Sequence, residues 1–297
     1  MLSIITPTYN RAHTLSTVCE SLKRQSNKNF EWVIVDDGSI DDTDIIVKKF
    51  FDCDNGFEIK YYKKENGGKH TALNLAYQYI SGEVVLILDS DDYLTDYAVE
   101  TISADWEKYK NDYGVCGLSY LKGYSDGGII GDKFPFEYYI ASSVDCRINK
   151  NVRGDKAEVF RSELLKQNPF PVFKDEMFLG ESVVWTALGY KYKTVHINKL
   201  IYLCEYLETG LTKSGRALRI RCPKGGMLYA KTHINKMIKL KVRLKMAVLY
   251  LCYSHFDGMK YKNAIKGIKG FDFLFFLSRS PAFLLYKYWK KKYGGKV

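Results

Sequence analysis

Near the N-terminus the apolar residues come in short uninterrupted runs: Ser3-Ile4-Ile5-Thr6, Phe30-Glu31-Trp32-Val33-Ile34-Val35 and Glu83-Val84-Val85-Leu86-Ile87-Leu88. Short runs rich in Val, Ile and Leu, bounded by turn residues, predict buried strands of a parallel sheet. Thr14 to Gln25 and Asp41 to Phe51 read as the helices between them. The pattern is strand-helix-strand-helix, an α/β arrangement. Each run leads into polar residues: Pro7-Thr8-Tyr9-Asn10-Arg11, Asp36-Asp37-Gly38-Ser39 and Asp89-Ser90-Asp91-Asp92. Ligands of open α/β sheets bind beyond the carboxyl ends of the strands, so all three segments belong to the functional edge. A fourth joins them there: Asn66-Gly67-Gly68-Lys69 is a glycine-marked turn into a helix whose N-terminal amides and Lys69 can face an anion.

Asp89, Asp91 and Asp92 bring three carboxylates to that edge. Hard oxygen ligands suit Mg²⁺ or Mn²⁺ shared with a substrate diphosphate, because those ions take few protein carboxylates and complete their shell with phosphate and water. A D-x-D motif alone is weak, since such acids also cap helices. The second acidic strand end, Asp36-Asp37, strengthens it. Other residues have structural readings: Tyr9 as a packing residue, Asp41 and Asp42 as helix-start acids, His70 as a solvated first-turn residue.

Ile5-Thr6-Pro7-Thr8-Tyr9-Asn10, Val35-Asp36-Asp37-Gly38-Ser39, Asn66-Gly67-Gly68-Lys69 and Leu88-Asp89-Ser90-Asp91-Asp92, in this order, resemble the nucleotide-sugar half of the family 2 glycosyltransferases with the GT-A fold. The likeness covers the first half closely and a further stretch more loosely. It implies inverting transfer from a UDP- or other NDP-sugar, with Mn²⁺ or Mg²⁺ on Asp91 and Asp89. By the same resemblance Pro7, Thr8 and Tyr9 lie against base and ribose, and Asp36 or Asp37 accepts a hydrogen bond from the uracil imide. Arg11 and Lys69 address the diphosphate or base, and Ser90 stands among the donor contacts.

Inverting transfer needs a carboxylate to take the proton of the acceptor hydroxyl. Family members often supply it from a Glu-Asp pair at a helix start beyond the D-x-D. Here the matching stretch is Phe178-Leu179-Gly180-Glu181-Ser182, and it departs from the pattern at Ser182. Glu181 is the candidate base; Asp175, Glu176 and Asp155 are the alternatives, and Glu181 as a simple helix-start acid is the structural reading. Val183, Val184, Ala187 and Leu188 would give that helix a buried face.

The chain has 297 residues, 46% of them hydrophobic, enough for one large core or two modest ones. Its seven cysteines form no C-x-x-C pair, which argues against zinc and a disulfide framework and fits a reducing cytosol. No signal peptide is visible. Charge divides the chain: residues 1–209 carry 24 Lys and Arg against 32 Asp and Glu, whereas 210–297 carry 21 against 2. The expected division is therefore a GT-A catalytic domain over 1–209, followed by a basic, amphipathic helical region over 210–297. Met237, Leu240, Leu244, Val248 and Leu251 recur at helical spacing beside Lys236, Lys239 and Arg243. No stretch is long and apolar enough to span a membrane. Basic helices with Trp and Phe read either as an anionic-membrane surface or as packing elements. In the connecting stretch, Lys213, Arg216, Arg219 and Arg221 are candidates for neutralising a leaving diphosphate or, equally, for a solvated face.

The function expected is glycosyl transfer from a nucleotide-sugar donor to a glycan or lipid-linked saccharide in bacterial surface polysaccharide synthesis, in the cytoplasm or peripherally on the inner face of the membrane. A sugar nucleotidyltransferase would need a glycine-rich basic loop after the first strand, which Pro7-Thr8-Tyr9-Asn10 lacks. A nucleic-acid-binding protein would use the basic tail but leave the acidic strand ends unexplained, since they repel a polyanion. A catalytically inactive nucleotide-sugar-binding scaffold remains compatible with Ser182.

Overall fold

In the computed structural model, residues 1–204, 211–266 and 268–294 are described. The elements of the first part are β1 (Leu2–Thr8), α1 (Ala12–Lys23), β2 (Phe30–Asp36), α2 (Thr43–Phe51), β3 (Glu58–Lys63), α3 (Lys69–Ala76), β4 (Val84–Ile87), β5 (Asp92–Leu94) and α4 (Ala98–Tyr109). There follow β6 (Val115–Gly123), β7 (Tyr138–Ala141), a π-helical turn (Val144–Asn149), β8 (Lys156–Arg161), α5 (Ser162–Gln167), α6 (Ser182–Gly189) and β9 (Lys193–Cys204). The rest is helical: α7 (Leu211–Arg221), α8 (Pro223–Thr232), α9 (Leu240–Phe256), α10 (Tyr261–Ala264) and α11 (Asp272–Tyr293).

The strands form one sheet in the order β3-β2-β1-β4-β8-β6-β9-β5, with β7 beside β9. The three expected strands are present, and β1 is parallel to β2 on one side and to β4 on the other. The chain leaves β1 toward β2 and β3, then crosses back to place β4 on the opposite flank. The loops after β1 and β4 therefore flank a topological switch point, where a crevice opens at the carboxyl ends. Beyond β4 the sheet is mixed: β8 runs antiparallel to both β4 and β6, whereas β9 is parallel to β6 and antiparallel to β5 and β7.

One large core holds the sheet together. Leu15, Val18 and Leu22 of α1, Val47 and Phe50 of α2, and Ile102 and Trp106 of α4 pack with Ile4, Trp32, Ile34 and Leu86. The Trp32 indole N–H finds its partner in Thr6 Oγ1 at 2.8 Å, which satisfies the polar atom of a fully buried ring. On α3, His70, Leu73 and Ala76 are buried at a spacing of three, and α3 packs on β1 and β2. The reading of His70 as solvated is thus corrected: its position faces the sheet, and burial depresses its imidazole pKa.

By packing, residues 1–170 and 188–207 make one unit, and residues 171–187 and 208–297 make a second. The expected division at residue 209 differs in that 171–187, including Glu181, group with the helical unit. Local contacts explain this. Glu176 accepts backbone hydrogen bonds from Lys224 and Gly225 at 2.7 and 2.8 Å and so caps the start of α8, and the Arg219 guanidinium lies 6.0 Å from the Phe178 ring. The second unit has its own core, in which Met227, Tyr250, Leu251, Phe275 and Trp289 take part. The expected stripe on α9 splits. Leu251 is buried and Val248 half-buried, Leu240 and Leu244 are exposed, and Met237 lies ahead of the helix and is exposed. The link Glu208-Thr209-Gly210 and the Lys213 side chain lie outside the described residues.

Candidate active site

The loops after β1, β2 and β3 are laced together at the carboxyl edge of the sheet. Asn10, with φ 52°, donates its N–H to Ser39 Oγ (2.8 Å) and accepts from Ile40 N–H (2.9 Å), so the loop after β1 is tied to the loop after β2. Asp41 strengthens the tie by accepting from Ala12 N–H at 3.1 Å. Asp36 is fully buried; it accepts from Ser39 N–H at 2.7 Å and from the Tyr61 hydroxyl at 2.9 Å. Asp37 reaches the third loop, accepting from Gly67 N–H at 3.0 Å, Gly68 N–H at 2.7 Å and the Lys64 ammonium at 2.7 Å. Close approach requires glycine at Gly38: φ is 84°, and a Cβ there would stand 2.7 Å from Asn66 N. Both acids proposed for the uracil imide thus already hold the loops. Asp37 keeps slight exposure and Asp36 none.

Thr8 ends β1 with its Oγ1 buried and without a hydrogen-bond partner, while Pro7 is buried and Tyr9 is 48% exposed. The end of β1 thus sets an orphaned buried hydroxyl next in the chain to an exposed aromatic ring.

The acids after β4 meet cations from the other loops. Lys69 Nζ lies 2.5 Å from Asp89 Oδ1, and an Arg11 guanidinium nitrogen 3.9 Å from Asp91 Oδ2. Ser90 between them is buried. Burial alone would raise the pKa of Asp89, but Lys69 and Lys122 overrule it and hold the carboxyl below its ordinary value. Asp91 moves the other way, raised first by burial and then by the charge of Asp89, with Arg11 opposing. Asp92 opens β5 opposite Cys204, and burial together with Asp89 pushes it up to about 6.

Two residues of this centre carry no sequence signal. Tyr202 of β9 accepts the Asp89 N–H at 2.9 Å and hydrogen-bonds the Asp92 carboxyl, and the Lys122 ammonium lies 3.6 Å from the centre of its ring. They arrive from 113 and 33 residues away along the chain, so no local motif could have found them.

Among the described residues no group of three or more His, Cys, Asp and Glu side chains is arranged to hold a metal ion by itself. A donor set of two neighbouring carboxylates, Asp89 and Asp91, fits instead an ion that is completed by phosphate oxygens, as Mg²⁺ and Mn²⁺ usually are.

Residues 3–166 match the model of glycosyl transferase family 2. The chain belongs to that family. It is 29% identical over 231 residues to glycosyltransferase GlyA of Streptococcus pneumoniae, which covers 74% of this chain and 30% of that protein. It is 31% identical over 209 residues to the GalNAc(5)-diNAcBac-PP-undecaprenol beta-1,3-glucosyltransferase of Campylobacter jejuni, covering 67% of this chain and 62% of the relative. The chain thus spans about a third to three fifths of the length of these relatives. Among solved structures, S. aureus TarS 1–349 in complex with UDP-GlcNAc superimposes with a TM-score of 0.65 at 21% identity, over 93% of this chain and 79% of that one. The mannosyltransferase PcManGT of Pyrobaculum calidifontis, in complex with GDP-Man and Mn2+, gives 0.57 at 18% identity over 99% and 83%. At these identities the structural matches establish the GT-A fold.

In the second unit, Glu181 immediately precedes α6, its carbonyl accepting from Val184 and Trp185 N–H. Among the alternatives, the Glu176 carboxylate is spent on capping α8, whereas Asp155 and Asp175 are exposed. Arg216 and Arg219 stack near Trp289 and Tyr229 at 5.1 and 5.5 Å within this unit.

Proposed function

We propose that this protein transfers a sugar from a nucleotide-diphosphate donor, a UDP-sugar in the first instance, to a hydroxyl of a glycan or lipid-linked saccharide, with inversion. The observation that supports the reading is the lacing of the loops after β1, β2 and β3, with Asp37 held by Gly67 and Gly68 N–H, Lys69 paired with Asp89 and Arg11 beside Asp91 at the switch point of the sheet. The acceptor hydroxyl gives its proton to Glu181, the base by family pattern, and its oxygen bonds to the anomeric carbon. The bond from that carbon to the diphosphate oxygen breaks, with the electron pair departing on the diphosphate. Lys69 and Arg11 release their carboxylates to meet that developing charge. Asp91 and Asp89 would hold Mn²⁺ or Mg²⁺, which supplies further charge neutralisation at the leaving diphosphate.

A UDP-GlcNAc-bound and a GDP-Man- and Mn2+-bound relative support this choice of donor and ion. The lipid-diphosphate in the name of the C. jejuni relative supports a lipid-linked acceptor in surface polysaccharide synthesis at the inner face of a membrane, with the protein peripheral there. Among the described residues no helix is long and apolar enough to cross a bilayer.

The test is a panel of nucleotide sugars offered to the purified protein with Mn²⁺, Mg²⁺ or chelator, reading release of the nucleoside diphosphate. One sugar nucleotide should be turned over only with metal. Binding without turnover for every donor and acceptor would instead indicate an inactive scaffold, the alternative that the Ser182 departure leaves open.

A further inference from the structure

A surface helix normally buries one apolar stripe and turns the rest to water. In the second unit α11 carries two. Its inner side, with Leu274, Phe275, Ser278, Ala282 and Trp289, is buried in the helical core. Its outer side holds Phe273, Phe276, Leu277, Leu284 and Tyr288, which are 72, 68, 49, 67 and 57% exposed. Their spacing of three, four and seven makes a continuous stripe along the helix. Beside it, Leu244 and Val248 of α9 and Leu277, Leu285 and Trp289 of α11 line a groove of about 660 Å³. Arg216, Lys241 and Lys245 also line it, and Lys287, Lys290, Lys291 and Lys292 follow on the last turns of α11.

An exposed apolar surface of this extent marks a partner, and the charge around it selects which. Residues 210–297 hold 21 Lys and Arg against 2 acids, so a second copy of the same face would meet its own positive charge. A nucleic-acid backbone would engage the lysines but would leave Phe276 and Leu284 in water. A layer with anionic headgroups above hydrocarbon satisfies both features at once. We propose that the α9–α11 groove and the outer stripe of α11 dock the protein on an anionic phospholipid bilayer, with the Phe and Leu side chains below the headgroups and Arg216, Lys241 and Lys245 among the phosphates. This deepens the peripheral-membrane part of the reading above and rests on it. Its test contains neither donor nor acceptor, so its failure leaves sugar transfer to be judged by the nucleotide-sugar panel.

The experiment is flotation of the full chain with vesicles of phosphatidylglycerol and phosphatidylcholine, or of phosphatidylcholine alone. At about 0.1 M salt, binding to the anionic vesicles should exceed binding to the neutral ones at least tenfold, and it should vanish near 1 M, where the Debye length is about 3 Å. Phe276→Glu with Leu284→Glu should abolish binding while leaving the melting temperature unchanged, since both side chains already face water. A basic side chain held at an anionic surface is worth about fivefold in affinity, so Lys241→Gln with Lys245→Gln should weaken binding roughly 25-fold and flatten its salt dependence. The proposal is overturned if the protein ignores anionic vesicles at low salt or if the Phe276/Leu284 variant binds as well as the parent. It is equally overturned if duplex DNA displaces the vesicles, or if sedimentation shows a dimer that the Phe276/Leu284 variant disperses.

Discussion

Replacing Asp37 tests whether the loops are a built cradle. Its carboxylate, 4% exposed, holds Gly67 N–H, Gly68 N–H and the Lys64 ammonium at 3.0, 2.7 and 2.7 Å. Hydrogen bonds to a charged group contribute about 1.5–3 kcal/mol each, and breaking a buried ion pair costs about 3–5 kcal/mol when the survivor stays buried. Lys64 does not stay buried, because its side chain is 23% exposed and recovers water, so the lower end applies. Asp37→Ala should therefore destabilise the first unit by about 3 kcal/mol, or roughly 6–12 °C in melting temperature for a unit of this size. Asp37→Asn, which keeps one acceptor, should lose about half of that. Urea denaturation gives the stability, titration calorimetry with UDP gives the affinity, and a double-mutant cycle with Lys64→Met isolates the ion pair. Because the clasp fixes the N-terminus of α3 and Lys69, nucleotide affinity should fall with stability. A change below about 0.5 kcal/mol for Asp37→Ala, or a destabilised protein with undiminished UDP affinity, would refute the cradle.

Asp91→Ala should abolish metal-dependent turnover while leaving the melting temperature nearly unchanged, since its carboxylate is only loosely paired with Arg11; near-normal turnover without metal would remove the D-x-D from the reaction. Glu181→Gln keeps shape but not basicity, so kcat should drop about 10²- to 10⁴-fold with donor affinity preserved, and a matching loss of donor binding would move the base elsewhere. Glu176→Gln should cost the helical unit about 1–2 kcal/mol by loosening the α8 cap, read as a lower urea midpoint. Glu31 supplies a pH dependence: burial would raise its pKa, but Lys60, Ser3 and the Ser81 N–H overrule it and hold the carboxyl below the ordinary 4.5. The depressed value means that its stabilisation is complete above about pH 4.5 and is lost as pH falls through the folded pKa. Melting of Glu31→Gln should lack that acid-side decline, and an unchanged profile would contradict the assignment.

Short apolar runs ending in acids and turn residues were enough, by themselves, to place three parallel strands and their functional edge, because strand burial and the direction of βαβ units are local and nearly invariant properties. The charge break near residue 209 likewise announced a second, basic helical part. The partners that turn the motif residues into a site were not legible. Tyr202 and Lys122 reach Asp89 only because β9 and β6 are placed in the same sheet, a pairing that no short-range pattern encodes. Asp36 and Asp37 read as ligand-facing acids, and the structure adds a second role that the motif does not show, because Asp36 is bound by Tyr61 of β3 and Asp37 by Gly67 and Gly68 of another loop. His70 read as solvated because the helix face turned to the sheet depends on how α3 packs. On α11 the composition held both lysines and phenylalanines, but only packing decided which phenylalanines were left facing water. Sequence specifies local conformation and chemistry, and tertiary structure decides which of those groups meet a partner and which remain free to bind one.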